Sequence, residues 1–224
     1  MIATRVTLLG AIAALLCGAN LAGGQDWLQF RGPNTDRTTS GRGGSPPALK
    51  KSSASARPEP TDFDRGLKIA WQVDLPGRGP SSPIVVDGRV IVTASSGVRQ
   101  DELHVLAFDA QDGHPLWERQ FWATGRTLTH PQTANAAPTP ASDGQRIFAF
   151  FSSNDLVALD LDGNLLWVRG LTQDFPRLGN DVGMASSLLV VGKRVIVQSE
   201  SQGDALVAGI DTADGTTRWQ LARD

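Results

Sequence analysis

From Lys68 onward the apolar residues fall into short runs separated by polar, glycine-bearing turns, and the same order of runs recurs three times. Each unit opens with an apolar run before a Gly turn: Ser81-Ser82-Pro83-Ile84-Val85-Val86-Asp87-Gly88, then Ala136 through Asp143-Gly144, then Ala185 through Val191-Gly192. A β-rich run follows each turn: Arg89 to Thr93, Gln145 to Phe151 and Lys193 to Gln198. Only a hairpin's worth of residues separates the two runs, so each unit starts with two antiparallel strands. The third part of each unit runs Leu106 to Trp117, Val157 to Trp167 and Ile210 to Trp219. There an apolar strand ends at Asp109, Asp160 or Asp211, turns through Asp-Gly or its equivalent, and re-enters a strand that carries a tryptophan. Each unit is therefore expected to hold four antiparallel strands.

Trp71, Trp117, Trp167 and Trp219 stand 46, 50 and 52 residues apart, the length of one blade of a β-propeller. The turn aspartates accept hydrogen bonds from backbone amides while glycine supplies the positive φ that closes the hairpin. Each Trp is expected to fill the gap to a neighbouring blade, where one buried ring contributes about 3 kcal/mol. The fold class that follows is all-β, an incomplete or open propeller of about three blades.

Upstream the pattern changes. Residues 1–22 hold one charge at Arg5, an apolar run from Val6 to Leu16 and small residues around Ala19 to Ala22. That order is a secretory signal with cleavage near Ala22, and its apolar run is shorter than the ~20 residues that span a bilayer. A membrane anchor is the alternative. Cys17 is the one cysteine, and Leu16 before it is bulkier than the residue lipoprotein signals place there. Residues 23–67 are read as an N-terminal strap and a flexible linker. Trp27 and Phe30 are expected to pack onto the folded domain, and Thr35 to Gly66, rich in Ser, Pro, Gly and Arg, has too little apolar surface to offset its ordering entropy. Residues 68–224 are the repeats.

Composition supports β structure through 24 Gly and 13 Pro, and a net charge of −2 gives no basic footprint for nucleic acid. Once the signal is cleaved, no cysteine and no membrane span remain. His104, His114 and His130 have no metal-ligand spacing and are read as surface or loop residues. Asp87, Asp112, Asp143, Asp162 and Asp214 each precede a Gly and are read as turn residues rather than calcium ligands. No phosphate-binding loop and no nucleophile elbow occurs, so no catalytic, cofactor-binding or metal residue is assigned. The loops entering the first strand of each unit are the candidate binding rim: Arg78, Gly79 and Ser81, then His130, Gln132, Thr133 and Asn135, then Asn180 and Asp181.

The turn segments resemble the PQQ-like β-propeller repeats, whose motif reads Ala-x-Asp-x-x-Thr-Gly-x-x-x-Trp. Ala107, Asp109, Gly113 and Trp117 fall on it, with Asp112 in place of Thr. Ala158, Asp160, Gly163 and Trp167 match after a one-residue deletion. Asp211, Gly215 and Trp219 match with the alanine one position early, at Ala208. Asp26 to Asn34 resembles the start of envelope-directed members abundant in planctomycete-type bacteria. The family includes quinoprotein alcohol dehydrogenases, which use pyrroloquinoline quinone and calcium, and BamB-like scaffolds, which use the blades for protein contacts. The dehydrogenases place a vicinal Cys pair against the quinone, and the mature chain has none. The resemblance therefore implies a noncatalytic exported module for protein or ligand binding in the periplasm or outside the cell. A fragment or subunit of a quinoprotein dehydrogenase is the alternative, and pyrroloquinoline quinone enters only through that resemblance. Three blades leave open flanks, so either the chain is the N-terminal portion of a longer reading frame, or a protein partner or self-association is expected to complete the propeller.

Overall fold

The computed structural model describes residues 26–32, 69–179, 182–200 and 204–223. The export signal expected over residues 1–22 and the linker from Thr35 to Gly66 lie outside the described residues, as do Asn180 and Asp181.

Among the described residues, twelve strands form three four-stranded antiparallel sheets, each a consecutive meander. Blade 1 comprises β1 (Ile84–Val86), β2 (Arg89–Ser96), β3 (Glu102–Asp109) and β4 (Pro115–Trp122). Blade 2 comprises β5 (Ala141–Ser142), β6 (Arg146–Phe150), β7 (Asp155–Asp160) and β8 (Leu165–Gly170). A single helical turn, α1 (Leu171–Asp174), follows it. Blade 3 comprises β9 (Leu189–Val191), β10 (Arg194–Ser199), β11 (Ala205–Asp211) and β12 (Thr217–Arg223). The array is an open propeller of three blades, as the repeat pattern predicts.

The central strands read as continuous apolar runs because both of their faces are covered. In β3, Val105 and Ala107 pack into the seam with blade 2, while Leu106 and Phe108 point the other way. In blade 2, Ile147 and Ala149 face blade 1 whereas Phe148 and Phe150 face blade 3. The first strands are shorter than their apolar runs. Only Ala141 and Ser142 of the Ala136 to Gly144 run are strand, since Pro138 and Pro140 carry no N–H for a ladder.

Every outer hairpin carries a bulge one residue before its tryptophan, which aligns Trp117 with Ala107, Trp167 with Ala158 and Trp219 with Gly209. The residue that takes the motif's alanine place in the third unit is thus Gly209. Ala208 pairs with Gln220 and faces the core against blade 2, so the sequence alignment is off by one there.

Tryptophans join the blades in the predicted way. The indole of Trp117 donates from Nε1 to the carbonyl of Leu161 at 3.0 Å, and that of Trp167 to Thr212 at 3.2 Å, each in the turn of the following blade. Gly163 and Gly215 lie under these rings, where an added Cβ would stand 2.6 and 2.8 Å from ring carbon. Two arginines tighten the same seams: Arg119 Nε donates to the Gly163 carbonyl at 2.6 Å, and Arg169 Nη1 to that of Gly215 at 2.6 Å. Trp71 makes the same contact with blade 1, donating to Ala110 at 3.2 Å above Gly113, but it comes from an extended segment outside any sheet.

The N-terminal segment crosses the inner edges of all three blades. Trp27 exchanges two backbone hydrogen bonds with Val85, at 2.8 and 2.9 Å. The Leu28 carbonyl then accepts from Ser142 N at 2.7 Å, and the Gln29 side chain from Val190 N at 3.2 Å. The strap reading puts both aromatics on the blades, and Trp27 bonds to Val85. Phe30 departs from it, remaining 46% exposed with Arg31 stacked on its ring, because the turn at Gln29 to Gly32 carries it away from the blades.

Candidate functional site

Within each meander the first-to-second and third-to-fourth strand turns lie at one end of the blades. The second-to-third turns and the loops between blades lie at the other. The strap crosses the first end, so the loop end is the face left for a ligand or partner.

Several rim residues predicted from sequence hold the loops rather than face solvent. Arg78 pairs with Ser95 through two backbone hydrogen bonds, and its guanidinium reaches the Pro131 carbonyl at 2.9 Å. The Ser81 hydroxyl meets that of Thr93 at 2.9 Å. Gly79 runs against the Thr93 carbonyl, leaving no room for a side chain. Asn135 is fully buried and spends its side chain on two blades, donating to the Gln100 carbonyl at 3.1 Å and accepting from Ser153 N at 2.8 Å. His130, Gln132 and Thr133 make a local turn in which Gln132 N donates to His130 Nδ1 at 3.2 Å and Thr133 N to the His130 carbonyl. Of the predicted rim, the structure brings Arg78, His130 and Gln132 together at the surface and removes Asn135 from it.

Beside this rim lies a cleft of about 580 Å³ between the loop after β4 and the segment after β8. It is lined by Thr124, Arg126, Thr172, Arg177 and Leu178 among others. The Thr172 hydroxyl is buried with no hydrogen-bond partner among the described residues. A buried hydroxyl left this way costs about 1 to 3 kcal/mol unless something else satisfies it. Asp155, nearby and buried, is already saturated: it accepts from Thr124 N at 3.0 Å, from Thr124 Oγ1 at 2.6 Å and from Ser153 Oγ at 2.6 Å. In the cleft Arg177 is ion-paired with Asp204 at 3.4 Å, beside the buried Thr172 hydroxyl. Sequence reasoning did not find this cleft, because its residues lie in two loops about fifty positions apart with no motif between them.

One histidine corrects the surface reading. His104 lies in β3, only 4% exposed, with Nε2 2.7 Å from Ser96 Oγ and Nδ1 2.7 Å from Glu118 Oε1. The alternation of β3 turns it away from solvent toward its strand neighbours. Hydroxyl, imidazole and carboxylate stand in the order of a nucleophile, base and orienting group, but the Ser96 proton is directed to Glu102 Oε2 at 2.5 Å. Both ring nitrogens therefore face acceptors, and the arrangement ties β2, β3 and β4 together.

The carboxyls of Asp160, Asp211 and Asp214 are held below the usual carboxylate range, all in turns at the strap end. The chief causes are the Asn164 amide side chain for Asp160, the Ala213 N–H for Asp211 and the Thr216 hydroxyl for Asp214. These are hairpin residues, as the sequence predicts. Among the described residues no three His, Cys, Asp or Glu side chains gather to hold a metal ion, and no helix is long and apolar enough to cross a membrane.

Comparison with known proteins agrees with this architecture. The family model for the outer membrane protein assembly factor BamB matches residues 53–185, more than half of the chain. BamB of Moranella endobia (strain PCIT) is 26% identical over 164 residues, covering 70% of this chain and 37% of that protein. The quinohemoprotein alcohol dehydrogenase ADHIIG of Pseudomonas putida HK5 aligns with a TM-score of 0.52 at 21% identity, covering 69% of this chain and 22% of its own. That of Comamonas testosteroni aligns with a TM-score of 0.50 at 18% identity, covering 70% and 23%. At such identities these two structures show a shared fold, and the chain spans well under half the length of each relative.

Proposed function

The chain belongs to the family of the outer membrane protein assembly factor BamB, and from that premise we propose that it is an exported, noncatalytic propeller module that binds protein in the cell envelope. Residues 1–22 serve as its export signal, residues 23–67 as strap and linker, and residues 68–224 as the blades. The observation that carries the reading is the match of the BamB family model to residues 53–185, on an array of blades whose loop end the strap leaves open. The tryptophan seams beneath hold the loop end in place before binding, which lowers the ordering cost.

The dehydrogenase fold raises the question of pyrroloquinoline quinone. The buried polar groups that could cradle it at the loop end are already used, Asn135 on Gln100 and Ser153, and Asp155 on Thr124 and Ser153. The residues present do not fit that group.

The test places a photo-reactive amino acid at Gln173, exposed beside the cleft, or at Gln111, exposed on a turn at the strap end. Irradiation of intact cells making the protein is expected to give discrete adducts with envelope proteins from position 173 and none from 111. Equal labelling from both positions, or none from either, overturns the proposal. Alcohol-dependent dye reduction by the purified chain supplied with pyrroloquinoline quinone and calcium overturns its noncatalytic part.

A further inference from the structure

The second-to-third strand turns of blades 1 and 2 have the same frame and opposite surfaces. Each ends on a residue in the left-handed region, Gln100 at φ 55° and Asn154 at φ 65°. The N–H of each closes the turn on the carbonyl three residues back, that of Gly97 or Phe151. Between those positions blade 2 carries Ser152 and Ser153, both buried under the loops on either side through hydrogen bonds to Asn135 and Met184. Blade 1 carries Val98 and Arg99 at the same two places, both exposed, with Val98 entirely in solvent. The segments that flank blade 1, residues 76–80 and 123–135, are in place, so Val98 stands clear of the same kind of cover that encloses the blade 2 turn.

Gln100 makes this display rigid. A left-handed residue other than glycine costs about 1 to 3 kcal/mol and persists where its surroundings over-determine it. Its Oε1 accepts from Asn135 N at 2.9 Å and from Ser95 Oγ at 3.2 Å, and its Nε2 donates to Thr129 Oγ1 at 3.2 Å. Its carbonyl accepts from Asn135 Nδ2 at 3.1 Å. These bonds tie the turn to the loop after β4, so Val98 and Arg99 share a cleft of about 470 Å³ with Leu128. Leu128 is 55% exposed, and Val182 on the next loop, whose carbonyl accepts from His130 N, is 53% exposed. Three loops thus each offer one aliphatic side chain on the end that the strap leaves open.

Two guanidinium groups accompany them. Arg99 pairs with no carboxylate among the described residues, and the guanidinium of Arg78 is held by the neutral carbonyl of Pro131. The turn's own carboxylate, that of Asp101, lies against Gly97 instead. A charge that no carboxylate of its own chain meets at a rigid, apolar rim is set to be met by one from a partner.

We propose that this surface takes an acidic segment of a protein partner. Aliphatic side chains of the segment lie against Val98, Leu128 and Val182, and its carboxylates meet Arg78 and Arg99. The inference rests on the reading of the chain as a protein-binding module and adds the chemistry of what is bound.

Fluorescence anisotropy of a labelled peptide of alternating Leu and Glu, titrated with the full chain, tests this. Saturable binding that weakens as salt is raised is expected. The double variant Arg78→Glu with Arg99→Glu is expected to raise the Kd for that peptide about tenfold or more, and to bind a peptide of alternating Leu and Lys that the wild type does not. Val98→Ser weakens the Leu and Glu peptide without changing the melting temperature, since its side chain packs on nothing in the free protein. No binding of the Leu and Glu peptide, or equal binding by the charge-reversed variant, overturns the proposal. If that happens while position 173 still gives adducts in cells, the acidic segment is wrong and the protein-binding reading stands. Loss of the adducts overturns the reading itself.

Discussion

Asp160 shows how a single turn residue sets a property of the whole domain. Its Oδ1 accepts from Asp162 N at 2.9 Å and from Asn164 N at 2.8 Å, and Oδ2 from the Asn164 side chain at 2.8 Å. All three bonds favour the ionised carboxyl, so its pKa lies below the unfolded value. A carboxyl depressed on folding stabilises the protein above its unfolded pKa, and that stability is lost as pH falls through the folded pKa. Asp211 and Asp214 shift in the same direction in the blade 3 turn and add to the effect. The melting temperature of the wild type is expected to fall between about pH 5 and pH 3, and that of Asp160→Asn to fall less over the same range. The asparagine keeps an acceptor for the turn amides but carries no charge to titrate. Thermal melts at stepped pH check this, and identical slopes for the two proteins would contradict it.

At the scale of the element, the seam is the unit of construction, and its turn glycine is the tightest point. Gly163 sits at φ 79° with the Trp117 ring where a Cβ would be. Gly163→Ala must bear both the strained backbone and a displaced ring, together about 2 to 4 kcal/mol. Gly144 offers a matched comparison, since it has φ 87° but nothing within 4 Å of an added Cβ. Gly144→Ala is expected to cost only about 1 kcal/mol, the backbone part alone. Urea denaturation of both variants measures the difference, and equal losses would mean that ring contact contributes nothing at the seam. The hairpins and the tryptophan places were legible in the sequence because each is written within a dozen residues. Arg119 and Arg169 were not, because their acceptors are main-chain carbonyls 44 and 46 residues further on, which any residue type could supply. The burial of His104 was hidden for a related reason: its partners Ser96 and Glu118 come from the strands on either side, and only the register brings them to it. Asn135 looked like a rim residue for want of a signal that Gln100 and Ser153 would enclose it. The cleft around Thr172 depends on two loops meeting, which no local pattern encodes.

At the scale of the molecule, the three blades are chemically similar and differ in what covers them. Blade 2 is covered on both faces by other blades, and Phe148, Phe150, Ile147, Leu156 and Leu159 are all completely buried. Blade 1 has blade 2 on one side and only the side chains of Trp71, Val73 and Leu75 on the other. Blade 3 has blade 2 on one side and solvent on the other, and every residue of β12 from Arg218 to Arg223 is exposed. Local opening free energy follows the apolar contact that must be broken, so equal repeats in unequal surroundings open at different cost. Strap contacts reach all three blades, at Val85 and Asp87 of blade 1, Ser142 of blade 2 and Val190 of blade 3, and so do not set this ranking. Amide hydrogen exchange is expected to protect β6 and β7 most, β2 and β3 next, and β12 least. Had the blades drawn their stability chiefly from their own hairpins, protection would be nearly even from blade to blade. A graded result would instead locate the stability in the seams between blades.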